Sequence, residues 1–527
     1  MSQAKQDAEH PIGRGAKHVV VMVLGDIGRS PRMQYHALSL LEDGHYVTLI
    51  GYAGEGLVPP LEMASSTRRP TEDDDDDGES SSSSSRGTSS SKPPPYRGRL
   101  HVLRMAPYQL PRTVPLYRLL YYPIRLLSLS CCVICALWIR LGRVPHTRMP
   151  ADVILVQNPP SAPTLFLACA YRAWRGAWGG GNRPRLVIDW HNLGYTMFDR
   201  PDPTSDDARV RSLARAAIRN LAGWHERTMA TRADAHLTVT RAMETWLGEN
   251  FDVHGRHVRV LYDRPPSMFR PTGVEEQHEL FGRLKLKCDL LKDTPADDME
   301  REHITGETMF TQSIREGGGN TTHRLRRDRP ALLVSSTSWT PDEDFSILLT
   351  ALRELHKKIE TIVEDGTFPK ALVIVTGKGP QKAHYLPLIE EFNETHLFVN
   401  IQTLWLEADD YPKLVGCATL GISLHTSTSG LDLPMKVLDF FGCEVPVCAI
   451  GFDCLGELVQ DGVNGNVFAN GEELATLLLD LLRYHNDGKL HKLETYRKNI
   501  RGMTRWKENW EECARNLIVG ESYGNVL

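Results

Sequence analysis

Several polar clusters in this 527-residue chain fall directly after short apolar runs, where side chains can do chemistry. The run HVVVMVL (18–24) leads into Gly25-Asp26-Ile27-Gly28-Arg29-Ser30-Pro31-Arg32. Gly25 and Gly28 permit a tight turn, and Ser30 is placed to cap a helix with Pro31 at its first position. Arg29 and Arg32 bring two guanidinium groups to that helix start, a combination suited to a diphosphate. The pattern is not G-x-G-x-x-G, so no dinucleotide chemistry follows. DVILVQ (152–157) ends in Gln157-Asn158-Pro159-Pro160, and RLVIDW (185–190) ends in Asp189-Trp190-His191-Asn192. Histidine and carboxylate are the usual general bases. His191 and Asp26 are both candidates, and the sequence leaves that choice open.

The second half repeats the arrangement. ALLVSS (331–336) leads to Thr340-Pro341-Asp342-Glu343, read as a capping box with Pro341 opening a helix. That reading takes up Asp342-Glu343-Asp344, a D-x-D, as helix capping rather than a metal site. ALVIVT (371–376) ends in Gly377-Lys378-Gly379-Pro380, a glycine-flanked cation able to reach a phosphate. The most specific stretch is His425-Thr426-Ser427-Thr428-Ser429-Gly430-Leu431-Asp432-Leu433-Pro434. Its hydroxyls and amides, at Ser427, Ser429 and Gly430, are expected to face an anion. Pro434 then opens a helix carrying Lys436 and Asp439 at i, i+3, on one face. A cation for phosphates and a carboxylate for ribose hydroxyls suit a nucleotide sugar.

The elements that position these residues are continuous apolar runs rather than alternating ones. In the first half they are 18–24, 45–51, 100–105, 152–157, 185–190, 235–240 and 257–262. In the second half they are 331–336, 371–376, 397–401, 419–424 and 445–450. Amphipathic helical stretches separate them. Strands covered on both faces imply an α/β protein of two doubly wound domains, with ligands off the carboxyl ends of the strands. The domains are placed at 18–265 and 330–503, after a disordered N-terminus (1–17). A disordered acidic and serine-rich insertion falls at 55–97 and a mobile linker at 284–329, and the C-terminal helix within 504–527 crosses back to the first domain.

Apolar residues make up 41% and charged residues 24%, with a formal net charge of −5, which argues against a dedicated nucleic-acid binder. The ten cysteines are irregularly spaced and read as reduced thiols, Cys132 and Cys135 as plain packing. The first residues carry no apolar core of signal-peptide length. The uncharged run LLSLSCCVICALWI (126–139) is too short to span comfortably. Flanked by arginines, 116–139 is read as an intramembrane or interfacial segment.

Together, HVVVMVLGDIGRSPRMQYHALSL, QNPPSAPTL, VIDWHNLGY, LLVSSTSWTPDEDFSILL, VTGKGP and HTSTSGLDLPMKVLDFFG resemble the chitobiosyldiphosphodolichol beta-mannosyltransferase family of N-glycan assembly, from about residue 18 to 510. The resemblance implies a GT-B fold with two Rossmann-like domains facing a cleft, on the cytoplasmic face of the endoplasmic reticulum membrane. It implies GDP-mannose as donor, dolichyl-diphosphate-chitobiose as acceptor, and a β1,4-linked mannose as product. The enzymes that add later mannoses become candidate partners. Family members commonly begin with a transmembrane anchor, which this sequence does not show; either 116–139 carries membrane attachment alone, or the chain is a variant that has lost its anchor.

An α-linked donor and a β-linked product imply an inverting single displacement. Asp26 or His191 would take the acceptor proton. Lys378, Lys436 and the loop amides after Ser427 would stabilise the departing diphosphate, with no metal strictly required and a divalent cation compatible. Asp439 would bind the ribose; Gly25, Gly28, Arg29 and Arg32 would hold the acceptor diphosphate. The alternative is a catalytically silent GT-B scaffold subunit of a mannosyltransferase complex.

Overall fold

The computed structural model describes residues 15–65, 98–108, 117–141, 150–178, 183–198, 208–284, 286, 304–315, 320–362, 368–427, 429–483 and 491–520. The expectations for residues 1–14, for 66–97 of the acidic insertion and for 521–527 lie outside the described residues; over 55–65 the reading of disorder is corrected, since Pro59–Ser65 forms a helix that buries Leu61 and Ala64. The chain divides into two compact units. The first comprises the chain up to Thr238, Glu244–Leu261 and the chain from Asn509; the second comprises Val239–Met243 and Tyr262–Glu508.

The first unit is built on a seven-stranded sheet of β1 (His18–Asp26), β2 (Tyr46–Tyr52), β3 (Leu100–Met105), β4 (Val153–Asn158), β5 (Arg185–Trp190), β6 (Ala235–Thr238) and β7 (Val258–Val260), in the order β3-β2-β1-β4-β5-β6-β7. Every pairing is parallel. Val19, Val20, Val21 and Met22 are fully buried, which is why β1 reads as an unbroken apolar run: helices cover both its faces. The order reverses between β1 and β4, so the crevice for a ligand lies at their carboxyl ends.

In this unit the hydrophobic stretch forms the helix Tyr117–Ile134, continued by π-type turns over Cys135–Arg140. The window Pro123–Arg140 has a mean hydropathy of 1.6. Leu129, Val133, Ala136 and Leu137 are buried, whereas Leu126, Leu127, Ile134 and Ile139 are exposed. One apolar face therefore packs on protein and the other is open.

The second unit repeats the topology. Its six-stranded parallel sheet comprises β11 (Ala331–Ser336), β12 (Ala371–Thr376), β13 (Val399–Leu404), β14 (Leu420–Ser423), β15 (Val447–Ile450) and β16 (Gly465–Phe468), ordered β13-β12-β11-β14-β15-β16. Its switch point lies between β11 and β14. The helix Met435–Gly442 packs on this sheet closely because Gly421 has no side chain: a Cβ there would stand 2.7 Å from the Phe440 ring.

Each of the twelve runs read as strands forms one, trimmed or shifted by a few residues at the ends. The reading of 284–329 as a mobile linker is corrected over its described part. Here β8 (Ile304–Glu307), β9 (Thr311–Arg315) and β10 (Thr321–Leu325) make an antiparallel sheet. Its strands are short and polar, and β10 is largely exposed, so they lack the apolar runs that mark the parallel strands. Phe281 of the helix Val274–Leu284 anchors the sheet on Phe310, with ring centroids 4.3 Å apart.

Candidate active site

In the first unit the turn after β1 begins at Ile27. Gly25 is still within the strand, and a Cβ there would meet only Val23, at 3.7 Å. Gly28 is required, because its Cβ would stand 2.7 Å from the Glu55 backbone. Asp26 clasps these two loops together. Its carboxylate accepts the amide of Gly28 at 3.0 Å and that of Glu55 at 3.1 and 3.2 Å, and lies 3.6 Å from Arg29. Ser30 does not cap the following helix; its hydroxyl donates to Gln157 at 2.6 Å. Arg29 remains an outward cation, 71% exposed, resting on Glu55 at 2.9 Å.

Arg32 does not face a ligand. It is 4% exposed and grips Asp189 with two parallel bonds of 2.8 Å, while its third nitrogen donates to the Leu261 carbonyl at 2.7 Å. Each of its three nitrogens is committed in the interior, so the expected diphosphate role of Arg32 is set aside.

Asp189 is the centre of this arrangement and was not singled out in the sequence. It is wholly buried at the end of β5, with His36 Nε2 at 3.3 Å and His191 Nε2 at 3.0 Å from one of its oxygens. Burial alone would raise its pKa. The Arg32 guanidinium and the two imidazoles outweigh burial and hold the carboxyl well below the usual range. Burial pushes His36 down, and Trp510 donates to its Nδ1 at 3.0 Å. Asp189 also fixes the tautomer of His191: an ionised carboxylate accepts from Nε2–H, which leaves Nδ1 as the ring's basic nitrogen. The ring is 22% exposed. The orienting carboxylate and the basic nitrogen thus lie on opposite sides of one ring.

The loop after His191 is held from beneath by Glu226, a second residue missed in the sequence. This fully buried carboxylate accepts from Asn158 at 3.1 Å and from the amides of Gly194 and Tyr195 at 2.9 and 3.4 Å. Burial raises its pKa.

In the second unit, Glu343 forms no capping box. The helix starts at Phe345, where Asp344 accepts the Ser346 amide at 2.9 Å. Glu343 turns inward, 2% exposed, and accepts from the Thr337 hydroxyl at 2.6 Å, from the Ser338 amide and hydroxyl, and from Lys436. His425 lies 3.7 Å away. Burial works against its charge, but His425, Lys436 and Thr337 together lower its pKa. Lys436 is therefore already paired with a carboxylate.

Asp439, one turn on, does not pair with Lys436. It accepts from Tyr411 at 3.3 Å, and Tyr411 shares a 2.9 Å bond with Ser336. Burial lifts the Asp439 carboxyl to about 7, against the opposing effects of Tyr411 and Lys436. The expectation that the loop presents free hydroxyls and amides is corrected. Ser427 and Ser429 both donate to Asp432, the Gly430 amide donates back to Ser427 at 2.9 Å, and the Leu431 amide donates to Ser429. Asp432 closes this loop on itself; Thr428 lies outside the described residues. Lys378 sits 3.7 Å from the centre of the Trp405 ring. Gly377 is obligatory beside it, at φ +121 with a Cβ position 1.8 Å from the Thr337 carbonyl. Among the described residues no group of three or more His, Cys, Asp or Glu converges to hold a metal.

The chain is 37% identical over 510 residues to the human chitobiosyldiphosphodolichol beta-mannosyltransferase, spanning 96% of this chain and 94% of that protein. The Dictyostelium discoideum protein of the same name is 34% identical over 526 residues, spanning 93% and 92%. This chain belongs to the chitobiosyldiphosphodolichol beta-mannosyltransferase family. An Arabidopsis thaliana relative, 37% identical over 517 residues with 95% and 96% spanned, is named UDP-glycosyltransferase TURAN. No family model matches the chain. Among solved structures, Anabaena HepE in complex with UDP and glucose superposes with a TM-score of 0.51 at 13% identity, covering 94% of this chain and 95% of that one. Sucrose-phosphate synthase of Thermosynechococcus elongatus gives 0.51 at 12% identity, covering 94% and 96%. The fold of this beta-mannosyltransferase family member is GT-B.

The buried pair makes one direct prediction. Arg32→Met leaves Asp189 charged without its guanidinium, so the substitution should cost about 3–5 kcal/mol in urea unfolding. A surface change such as Arg29→Met should move the midpoint by about 0.5 kcal/mol or less.

Proposed function

We propose that this protein transfers mannose from GDP-mannose to dolichyl-diphosphate-chitobiose, forming the first β1,4-mannose linkage, at the cytoplasmic face of the endoplasmic reticulum membrane. The observation that carries the reading is near-full-length identity of 37% with a protein named for that acceptor and that stereochemistry. The exposed apolar helix face supports work at a membrane.

The reaction is an inverting displacement at the anomeric carbon. His191 Nδ1 takes the proton of the acceptor 4-hydroxyl as its oxygen attacks, and Asp189 stabilises the imidazolium that forms. Asp26 is the weaker candidate because its oxygens are already occupied by two backbone amides and Arg29. As the bond to the diphosphate breaks, Lys378 and Lys436 counter the charge that develops there. Glu343 holds Lys436 in place for this, so the cation needs no reorganisation. Asp439, buttressed by Tyr411, accepts from the donor ribose. Arg29, the exposed cation of the β1 loop, meets the acceptor diphosphate.

The test is transfer of radiolabelled mannose onto a lipid-diphosphate-chitobiose, with UDP-sugars in parallel because one relative carries that donor class in its name. A β-mannosidase-sensitive trisaccharide lipid formed only from GDP-mannose is expected; transfer from UDP-sugars alone would overturn the donor assignment. In the same assay His191→Ala should lose roughly 10²–10⁴ in kcat while retaining GDP binding, and Asp26→Asn should lose far less.

A second prediction concerns pH. With its carboxyl near 7, Asp439 is half ionised at neutrality and binds a ribose hydroxyl best when charged. The donor KM should therefore fall as pH rises from 6 to 8, by roughly tenfold. Asp439→Asn should give a higher KM with a flat profile over the same range.

A further inference from the structure

Exposed large apolar side chains are concentrated on three consecutive helical segments of the first unit. On the segment Tyr117–Arg140, Leu127 and Ile139 are open to solvent. On the helix Thr164–Trp178 the open residues are Phe166, Trp174 and Trp178, the last 82% exposed. On the helix Ala208–Ala230 they are Ile218, Leu221 and Trp224, the last two 64% and 63% exposed. The segments adjoin. Trp138 lies 5.1 Å from Tyr171 and 6.2 Å from Trp174, measured between ring centroids, and Thr164–Trp178 also packs beside Ala208–Ala230. From Ala216 to Leu221 the third helix is exposed on every side, a state an apolar stripe does not keep in water without a partner.

Charge identifies the partner. The three segments carry ten arginines and one acid, in a chain whose net charge is −5. That acid is Glu226, whose carboxylate is buried and bonded to Asn158 and Gly194. Arg172 is buried and paired with Asp234 and so belongs to the interior; tryptophan and leucine beside the other arginines of these segments is the composition of a surface that lies in an anionic lipid interface. We propose that Thr164–Trp178 and Ala208–Ala230 form, with Tyr117–Arg140, one composite face that docks on anionic bilayers. The apolar helix is then one third of the contact and lies along the membrane, since Leu129, Val133 and Leu137 are packed on protein. This deepens the reading of a lipid-linked acceptor and rests on it.

The experiment is co-flotation with vesicles of phosphatidylcholine alone or with added phosphatidylserine, comparing the full chain with W174A/W178A and L221A/W224A. The segment 117–140 is untouched in both variants, and thermal melts verify folding. The composite face predicts tighter binding to the anionic vesicles and at least a tenfold weaker partition for each variant. Wild-type binding by both variants overturns it, since the first segment would then suffice. Self-association of the wild type in the absence of lipid, lost in the variants without a change in flotation, overturns it in favour of a protein interface. Activity separates this inference from the assigned reaction. The variants should retain turnover on a short-chain, water-soluble acceptor and lose it on an acceptor embedded in vesicles. If the wild type transfers mannose to neither acceptor yet floats as described, the reaction assignment fails and the docking face stands.

Discussion

A carboxylate with no access to water organises the first unit. Asp189 lies at the carboxyl end of β5, Arg32 lies in the helix after β1, and their two parallel bonds tie these elements together across the switch point. The desolvation of both charges is offset because each carboxylate oxygen and each guanidinium nitrogen is used. The guanidinium's remaining direction is spent on Leu261, and the carboxylate's remaining capacity on two histidines. A pair of this kind contributes little net stability over an apolar substitute, but removal of either partner is costly. Its value lies in placement: it sets His191 at the strand end with one ring nitrogen committed. Trp510 reaches His36 from the C-terminal segment, so the last helical turns of the chain belong to the same network.

The second unit solves a similar problem with different groups. Glu343 gathers Lys436, Thr337, Ser338 and His425, while Asp432 draws in Ser427 and Ser429. Both carboxylates preorganise polar groups at strand ends where a nucleotide diphosphate is bound in the proposed reaction. Among the described residues Asp439 forms no ion pair and accepts from Tyr411, with Lys436 acting on it only from a distance, and burial brings its carboxyl to about 7.

Twelve of the thirteen parallel strands were legible because helices on both faces demand unbroken apolar runs such as HVVVMVL and ALVIVT; β16, the short edge strand Gly465–Phe468, has no such run and was not read. The antiparallel strands over 304–325 were not, since short polar strands on an open sheet resemble a linker. That the candidate residues sit at strand ends was legible from the apolar runs that precede them, but their pairings were not. Arg32 and Arg29 are equivalent by spacing, and only the packed helix shows one turned onto Asp189 and the other outward. An aspartate inside the apolar run RLVIDW was the one available signal for the buried centre. Glu343 had the spacing of a helix cap and became an ion-pair anchor, because the following helix begins two residues later. Tyr411 and Glu226 left no trace in any motif.

The central claim is that Asp189 acts on the reaction through His191, and a double-mutant cycle in kcat measures that directly. Asp189→Asn, His191→Ala and the double variant would be assayed with saturating donor and acceptor, each verified as folded by its melt. If Asp189 orients His191, the double variant should be no slower than His191→Ala alone, within about threefold. If the two losses instead multiply, Asp189 and His191 act independently, and the aligned acceptor at the end of β5 is not the base.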